Sequence, residues 1–242
     1  MPRFFVSIPL KCCASVSLPD AVVRHIQVLR LREGDAITLF NGQGGEYAAQ
    51  LTLVERREAQ CQIDAFIDVS RESPLRLGLA QAISSGDRMD FTLQKGVEMG
   101  VSVFQPIAAE RSVVKLSGER ADKRLTRWQE IVESACEQSG RTMVPQVLPI
   151  LSVKEWLAQA PQQETKLLLS PLGNQRLQDI AERPTSLWLM AGPEGGYTSQ
   201  EENLALSHGW VALKLGPRIL RTETAALAAT AAIQSVWGDY AG

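Results

Sequence analysis

Glycine and proline crowd three short stretches near the C-terminal end of this chain, and each follows an apolar run. They are Ser170-Pro171-Leu172-Gly173 after Leu169, Gly192-Pro193-Glu194-Gly195-Gly196 after Ala191, and Gly216-Pro217-Arg218-Ile219-Leu220-Arg221 after Leu215. Glycine lets a backbone turn tightly and approach a ligand closely, because no Cβ intervenes. Residues 192–196 match neither G-x-G-x-x-G nor G-x-x-x-x-G-K-[ST], so a classical dinucleotide or nucleoside-triphosphate site is not supported. Taken alone, the stretch is equally a rigid strand-to-helix turn, and Thr198 with Glu201 three residues on marks the helix start as a capping box. Behind the third stretch, Arg221-Thr222-Glu223-Thr224-Ala225 opens a segment rich in alanine. Arg221 and Glu223 are hard to explain as core. They are either a structural ion pair or site residues, and we take them as site residues.

Three such stretches need strands that end side by side. The pattern after residues 70–74 supplies them: strands are expected at 75–83, 103–108, 144–148, 166–170, 187–191 and 211–215. Helices are expected at 88–99, 119–139, 153–159, 175–182, 199–208 and 222–237. Alternation of this kind predicts a parallel sheet with helices on both faces. Ligands in such sheets bind beyond the carboxyl ends of the strands, where the three stretches fall. The last helix carries Ala225, Ala226, Ala228, Ala229, Ala231 and Ala232, apolar nearly all round. It is expected to pack on its own domain and on something else, such as a second subunit.

Residues 1–72 read differently. Strands are expected at 4–8, 35–40, 46–54 and 61–69, and a short helix at 19–29 with Pro19 in its first turn. Asn41-Gly42-Gln43-Gly44-Gly45 lies between two of these strands and tolerates the positive φ of a hairpin loop. The chain therefore divides into a small, mostly antiparallel β-barrel at 1–72 and an α/β domain at 73–242.

Composition narrows the function classes. The chain has 242 residues, 45% of them hydrophobic, with 25 basic against 27 acidic residues. A net charge of −2 counts against a general nucleic-acid binder, although two stretches are locally basic. Residues 1–32 carry Arg3, Lys11, Arg24, Arg30 and Arg32 against Asp20. Residues 111–127 carry Arg111, Lys115, Arg120, Lys123, Arg124 and Arg127 against Glu119 and Asp122. Each is a phosphate grip or a solvated face. Cys12, Cys13, Cys61 and Cys136 form no C-x-x-C pair and read as reduced cytosolic thiols. His25 and His208 lie near no cysteine or carboxylate cluster, so a zinc or iron site is not expected. No run reaches the roughly 20 apolar residues of a membrane helix. The apolar start ends at Lys11 and reads as a strand, not a secretory signal.

The loop 192–196, followed by Leu215-Gly216-Pro217-Arg218-Ile219-Leu220-Arg221-Thr222-Glu223-Thr224-Ala225, resembles the signature of the RsmE family of 16S ribosomal RNA uridine-N3 methyltransferases. Upstream stretches agree: Leu29-Arg30-Leu31 with Gly34-Asp35, Gln94-Lys95-Gly96-Val97-Glu98-Met99-Gly100, Glu110-Arg111-Ser112-Val113, Arg127-Trp128 and Glu137-Gln138-Ser139-Gly140-Arg141. Gly96 departs from the pattern, which more often has a hydroxyl-bearing or bulkier residue there.

The resemblance implies an N-terminal PUA-like barrel that binds RNA and a C-terminal SPOUT domain with a trefoil knot, a topology that general chain rules would not suggest. It implies S-adenosylmethionine bent among the three loops, in contact with Leu169, Ser170, Pro171, Ala191, Gly192, Pro193, Glu194, Gly195, Gly196, Leu215, Gly216, Ile219, Leu220, Arg221, Thr224 and Ala225. It implies a homodimer through the knot region, a cytoplasmic enzyme without metal, and uridine 1498 of 16S rRNA in the small subunit as substrate. Uracil N3 is protonated at neutral pH, so Glu223 is the candidate base, with Arg111 and Arg221 to stabilise charge on the uracil oxygens. Arg3, Arg24, Arg30, Arg32, Lys115, Arg124 and Arg141 are candidate RNA contacts. Competing readings are a SPOUT enzyme acting on a ribose 2′-hydroxyl or on transfer RNA, a non-catalytic RNA-binding protein, and a nucleotide-dependent oxidoreductase.

Overall fold

The computed structural model describes residues 1–180 and 183–240. The chain forms two compact units: Met1–Glu72 with Glu133–Val144, and Ser73–Val132 with Pro145–Gly242. The first boundary between the units falls between Glu72 and Ser73. The joining of 133–144 to the first unit has no marker in the sequence.

In the first unit, β1 (Arg3–Phe5), β2 (Ser15–Ser17), β3 (Ala36–Phe40), β4 (Glu46–Val54) and β5 (Ala59–Ile67) form one sheet in the order β1-β3-β4-β5-β2. Only the β1–β3 pair is parallel. The hairpin glycines Gly42, Gly44 and Gly45 all take positive φ. A Cβ at Gly45 would come 2.3 Å from the Phe66 ring. The helix α1 (Asp20–Leu29) buries Val22, Val23 and Ile26 among Phe4, Ile37, Leu39, Leu51 and Ile63. Pro19 stands at its N-cap, one place before the expected first turn.

Among the described residues, the second unit is built on seven strands. β6 (Arg76–Ala82), β7 (Val101–Ala108), β8 (Gln146–Val147), β10 (Thr165–Leu169), β11 (Ser186–Ala191) and β12 (Val211–Leu213) lie in the order β12-β10-β11-β6-β7-β8, and β9 (Leu151–Ser152) also pairs with β7. Every pairing is parallel. On one face, α4 (Val153–Gln159) and α5 (Ser199–Ser207) close a core in which Trp156 meets Trp188 and Trp210. On the other, α2 (Gly86–Glu98) packs against β7 and against α6 (Thr222–Trp237), which lies on β11. The helix α3 (Glu119–Ser139) buries Trp128 and Val132. Gly96, the departure from the family pattern, sits where a Cβ would come 2.8 Å from Phe104.

Two expectations are corrected, and two short strands were not expected. The helix at 175–182 is a single 3-10 turn, Leu177–Asp179, because Gln175 is held extended by an isolated bridge to Leu213 and accepts from the Lys214 N–H. Residues 181 and 182 lie outside the described residues. The strand expected to reach Leu215 stops at Leu213, whose partner Leu169 is itself the last residue of β10. The short strands β2 and β9 are too brief to show a period.

Candidate ligand-binding site

The three glycine- and proline-rich stretches follow β10, β11 and β12, which are two adjacent pairs in the sheet. Together they line one cavity of about 470 Å³. Leu169, Ser170 and Pro171 enter it from the first, Ala191 and all five residues 192–196 from the second, and Leu215, Gly216, Ile219, Leu220 and Arg221 from the third, with Ala225 behind. Of the residues expected around a cofactor, Thr224 is outside the lining. Neither Glu223 nor Arg111 lines it.

The first loop is pinned by its own polar groups. The Ser170 N–H donates to Leu213 O at 3.1 Å, and Ser170 Oγ accepts from the Leu172 N–H at 3.2 Å. Gly173 passes so close to β12 that a Cβ would lie 2.7 Å from Ala212 O. In the second loop, Gly196 N–H closes a turn onto Pro193 O at 2.9 Å, with Gly196 at φ +66°. Thr198 caps α5 in a reciprocal capping box with Glu201. Tyr197 is buried, its hydroxyl donates to Ala191 O at 2.9 Å, and burial holds its phenol well above the ordinary range. It therefore stays neutral and serves as a strut.

Side chains from distant segments hold the second loop. Thr222, buried at the start of α6, donates to Gly192 O and accepts from Gln81 Nε2 of β6 at 3.0 Å. Arg111 donates to Gly195 O at 3.2 Å and is otherwise exposed. Glu194 Oε1 accepts from the Ser85 N–H and Ser85 Oγ at 2.8 Å each and from Arg88 at 3.0 Å. Burial works to raise the Glu194 pKa, but these donors outweigh it and hold the carboxyl below its usual value. Arg88 also lies 4.0 Å from Glu223. Thus Glu223 takes part in an ion pair at the cavity edge, while Arg221 is exposed at the N-cap of α6.

Ser85, Arg88, Thr222 and Tyr197 did not emerge from sequence reasoning. Only Arg88 had a visible signal, a basic residue in the first turn of a helix, where the helix dipole disfavours one. The cations expected to grip RNA divide in two. Arg24, Arg30 and Arg32 are exposed, Arg124 is half-buried, and the Lys115 ammonium donates to Ala109 O and Glu110 O. Arg3 and Arg141 are turned inward, a correction to their expected role. Arg3 pairs with Glu46 and donates to Gly140 O and Arg141 O, and Arg141, 4% exposed, clamps Glu72. An ion already spent on a buried partner is not available to a phosphate.

Among the described residues there is no cluster of histidine, cysteine and carboxylate that fits a metal ion, and no helix long and apolar enough to cross a membrane. The Cys61 and Cys136 thiols are buried, which pushes them up to about 11 and about 12, while Cys12 and Cys13 are exposed.

Comparison with known proteins places this geometry. The family profile described as RNA methyltransferase domain matches residues 71–234, and that described as RNA methyltransferase PUA domain matches residues 18–64. Ribosomal RNA small subunit methyltransferase E of Bacillus subtilis is 33% identical over 96% of each chain. The enzyme of that name from Buchnera aphidicola is 30% identical over 99% of this chain and 98% of its own. A crystal structure of ribosomal RNA small subunit methyltransferase E from Neisseria gonorrhoeae, bound to S-adenosyl methionine, is 52% identical, covers 99% of both chains and superposes with a TM-score of 0.96. A Legionella pneumophila protein solved with bound SAM is 36% identical over 98% of both chains, with a TM-score of 0.95. With its parallel α/β domain, its N-terminal PUA domain and these relatives, the chain belongs to the ribosomal RNA small subunit methyltransferase E family.

Proposed function

We propose that this protein uses S-adenosylmethionine to methylate N3 of uridine 1498 in 16S ribosomal RNA, acting on the assembled small subunit as a cytoplasmic homodimer. The observation that carries this reading is the 470 Å³ cavity formed by three loops, in a chain 52% identical to a protein crystallised with that cofactor. The residues present suit the group. The volume is that of a small-molecule site. Apolar walls from Leu169, Ala191, Leu215 and Leu220 suit a purine, and glycine backbone in two loops allows close approach. When bound, the cofactor supplies a methyl group on a sulfonium, which needs no metal to leave.

The chain's own residues have three tasks. The loops orient the donor against the base, and alignment alone accounts for much of such an acceleration. Arg221, exposed beside the cavity, is placed to neutralise charge on a uracil oxygen, with Arg111 as the second cation. Glu223 is the proposed acceptor of the N3 proton. Its Oε2 has no hydrogen-bond partner among the described residues, and the carboxylate, beside Arg88 at the cavity edge, would turn toward the cavity to take the proton. Glu223→Gln should lower kcat about a hundredfold at unchanged S-adenosylmethionine affinity, measured by single-turnover methylation and calorimetry. Wild-type turnover in that variant would remove Glu223 from the chemistry.

Exposed Arg24, Arg30 and Arg32 and half-buried Arg124, with Lys115, are the proposed phosphate contacts. Arg3 and Arg141 are left out for the reason given above. The outward stripe of α6, with Thr224, Ala228 and Ser235 exposed, supports a second copy packing there, since small residues let backbones come close. Trefoil knotting of the second unit is carried by the family resemblance. The test of the whole reading is methylation of purified small subunits lacking the modification, with the nucleoside identified by mass spectrometry. A 3-methyluridine at position 1498 is expected. A 2′-O-methyl product, or methylation of transfer RNA alone, would replace this reading by another.

A further inference from the structure

Arg88 is left unexplained by the chemistry above, although it lines the cavity. It sits in the first turn of α2, more than a hundred residues before the second loop. Its guanidinium reaches two carboxylates from two different elements: Glu194 Oε1 of the second loop at 3.0 Å and Glu223 Oε1 at the start of α6, at 4.0 Å. The two carboxylates present only 19% and 14% of their side-chain surface to solvent. The second oxygen of each is buried and has no hydrogen-bond partner. Two carboxylates held this close, with one cation shared between them, would repel each other if that cation left. The Ser85 N–H and hydroxyl also donate to Glu194, so the second loop would keep an anchor, whereas the start of α6 would be left with the Thr222–Gly192 hydrogen bond as its tie to that loop.

We propose that Arg88 is a positioning residue for the methyl-donor cavity, bridging the loop after β11 to the start of α6 so that these two walls of the cavity stay in register; this rests on the methyltransferase reading above. A guanidinium is suited to the task because its planar fork can serve two acceptors at once. An ammonium is a point charge that keeps the neutralisation and loses the bridge. A methionine keeps most of the stem and loses both.

The test is steady-state methylation of small subunits by wild type, Arg88→Met and Arg88→Lys, with thermal denaturation of each. Arg88→Met should raise the KM for S-adenosylmethionine about tenfold while kcat at saturation falls less than about threefold, the pattern of a misplaced binding wall. Arg88→Lys, which keeps the charge and loses the bridge, should recover only part of that loss. An Arg88→Met protein with unchanged KM, or with kcat reduced and KM unchanged, overturns the proposal. Should Arg88→Met prove unstable, Ser85→Ala, which removes one donor to the same Glu194 oxygen, should raise KM about threefold, and an unchanged KM there overturns it equally. A wild-type protein that neither binds S-adenosylmethionine nor methylates RNA overturns the functional reading and this proposal with it, whereas a fully active wild type beside an unaltered Arg88→Met overturns the proposal alone.

Discussion

Arg141→Met should destabilise the protein by about 3 kcal/mol and lower its melting temperature by roughly 6–12 °C, while leaving S-adenosylmethionine affinity unchanged. Arg141 is 4% exposed and holds Glu72 through Nε at 3.1 and 3.2 Å and through a further contact from Nη2. Removing it strands a carboxylate that has little water to turn to, and breaking a buried pair from one side costs more than the pair contributes. The estimate sits at the lower end because the Glu72 side chain is 22% exposed. Neighbouring contacts magnify the loss. Arg3 and Arg71 both reach Glu46 and both donate to Gly140 O, so residues 137–141 are stitched to β1 and β4 within the first unit. Glu137 adds a bond from the Phe5 N–H at 2.8 Å. Thermal denaturation with calorimetry checks the expectation. A stable Arg141→Met variant that has lost RNA affinity would return Arg141 to the RNA contacts.

Gly192→Val should weaken S-adenosylmethionine binding at least a hundredfold, equivalent to about 2.7 kcal/mol. The cause is space rather than backbone strain. A Cβ at Gly192 would lie 3.3 Å from the Tyr197 ring and from its backbone nitrogen, and 3.4 Å from the Gly196 Cα. A single methyl forces a shift of a few tenths of an ångström, so Gly192→Ala should cost closer to tenfold. The two γ-methyls of valine meet Tyr197, whose hydroxyl is fixed on Ala191 O, or enter the cavity. The Gly192 carbonyl is held by Thr222, so the loop cannot retreat without breaking that bond. Isothermal calorimetry on the two variants checks the order. Equal affinity for wild type and Gly192→Val would mean that the donor does not touch this loop.

The parts legible in the sequence share a physical reason. Buried parallel strands read as apolar runs, and the tight turns after them require glycine and proline, so the positions of the three loops could be read without coordinates. The bounds of β4, α3, α4 and α6 agree with those expected from periodicity and caps. What escaped depends on partners far apart in sequence. A charged residue does not reveal whether it will meet water or a carboxylate. Arg3 and Arg141 read as free cations because Glu46 and Glu72 lie 43 and 69 residues away from them. Arg88 and Ser85 were hidden likewise, since their partner Glu194 lies more than a hundred residues on. The membership of residues 133–144 in the first unit was invisible because α3 continues without a break in its helical period.

Everything functional turns on whether the ends of β10, β11 and β12 wrap around the methyl donor. A crystal structure of the protein grown with S-adenosylhomocysteine tests this directly. The adenosine should lie among residues 169–171, 191–196 and 215–221, with the sulfur facing the side where Arg221 stands. Ligand density elsewhere, with these loops closed on their own side chains, would contradict it.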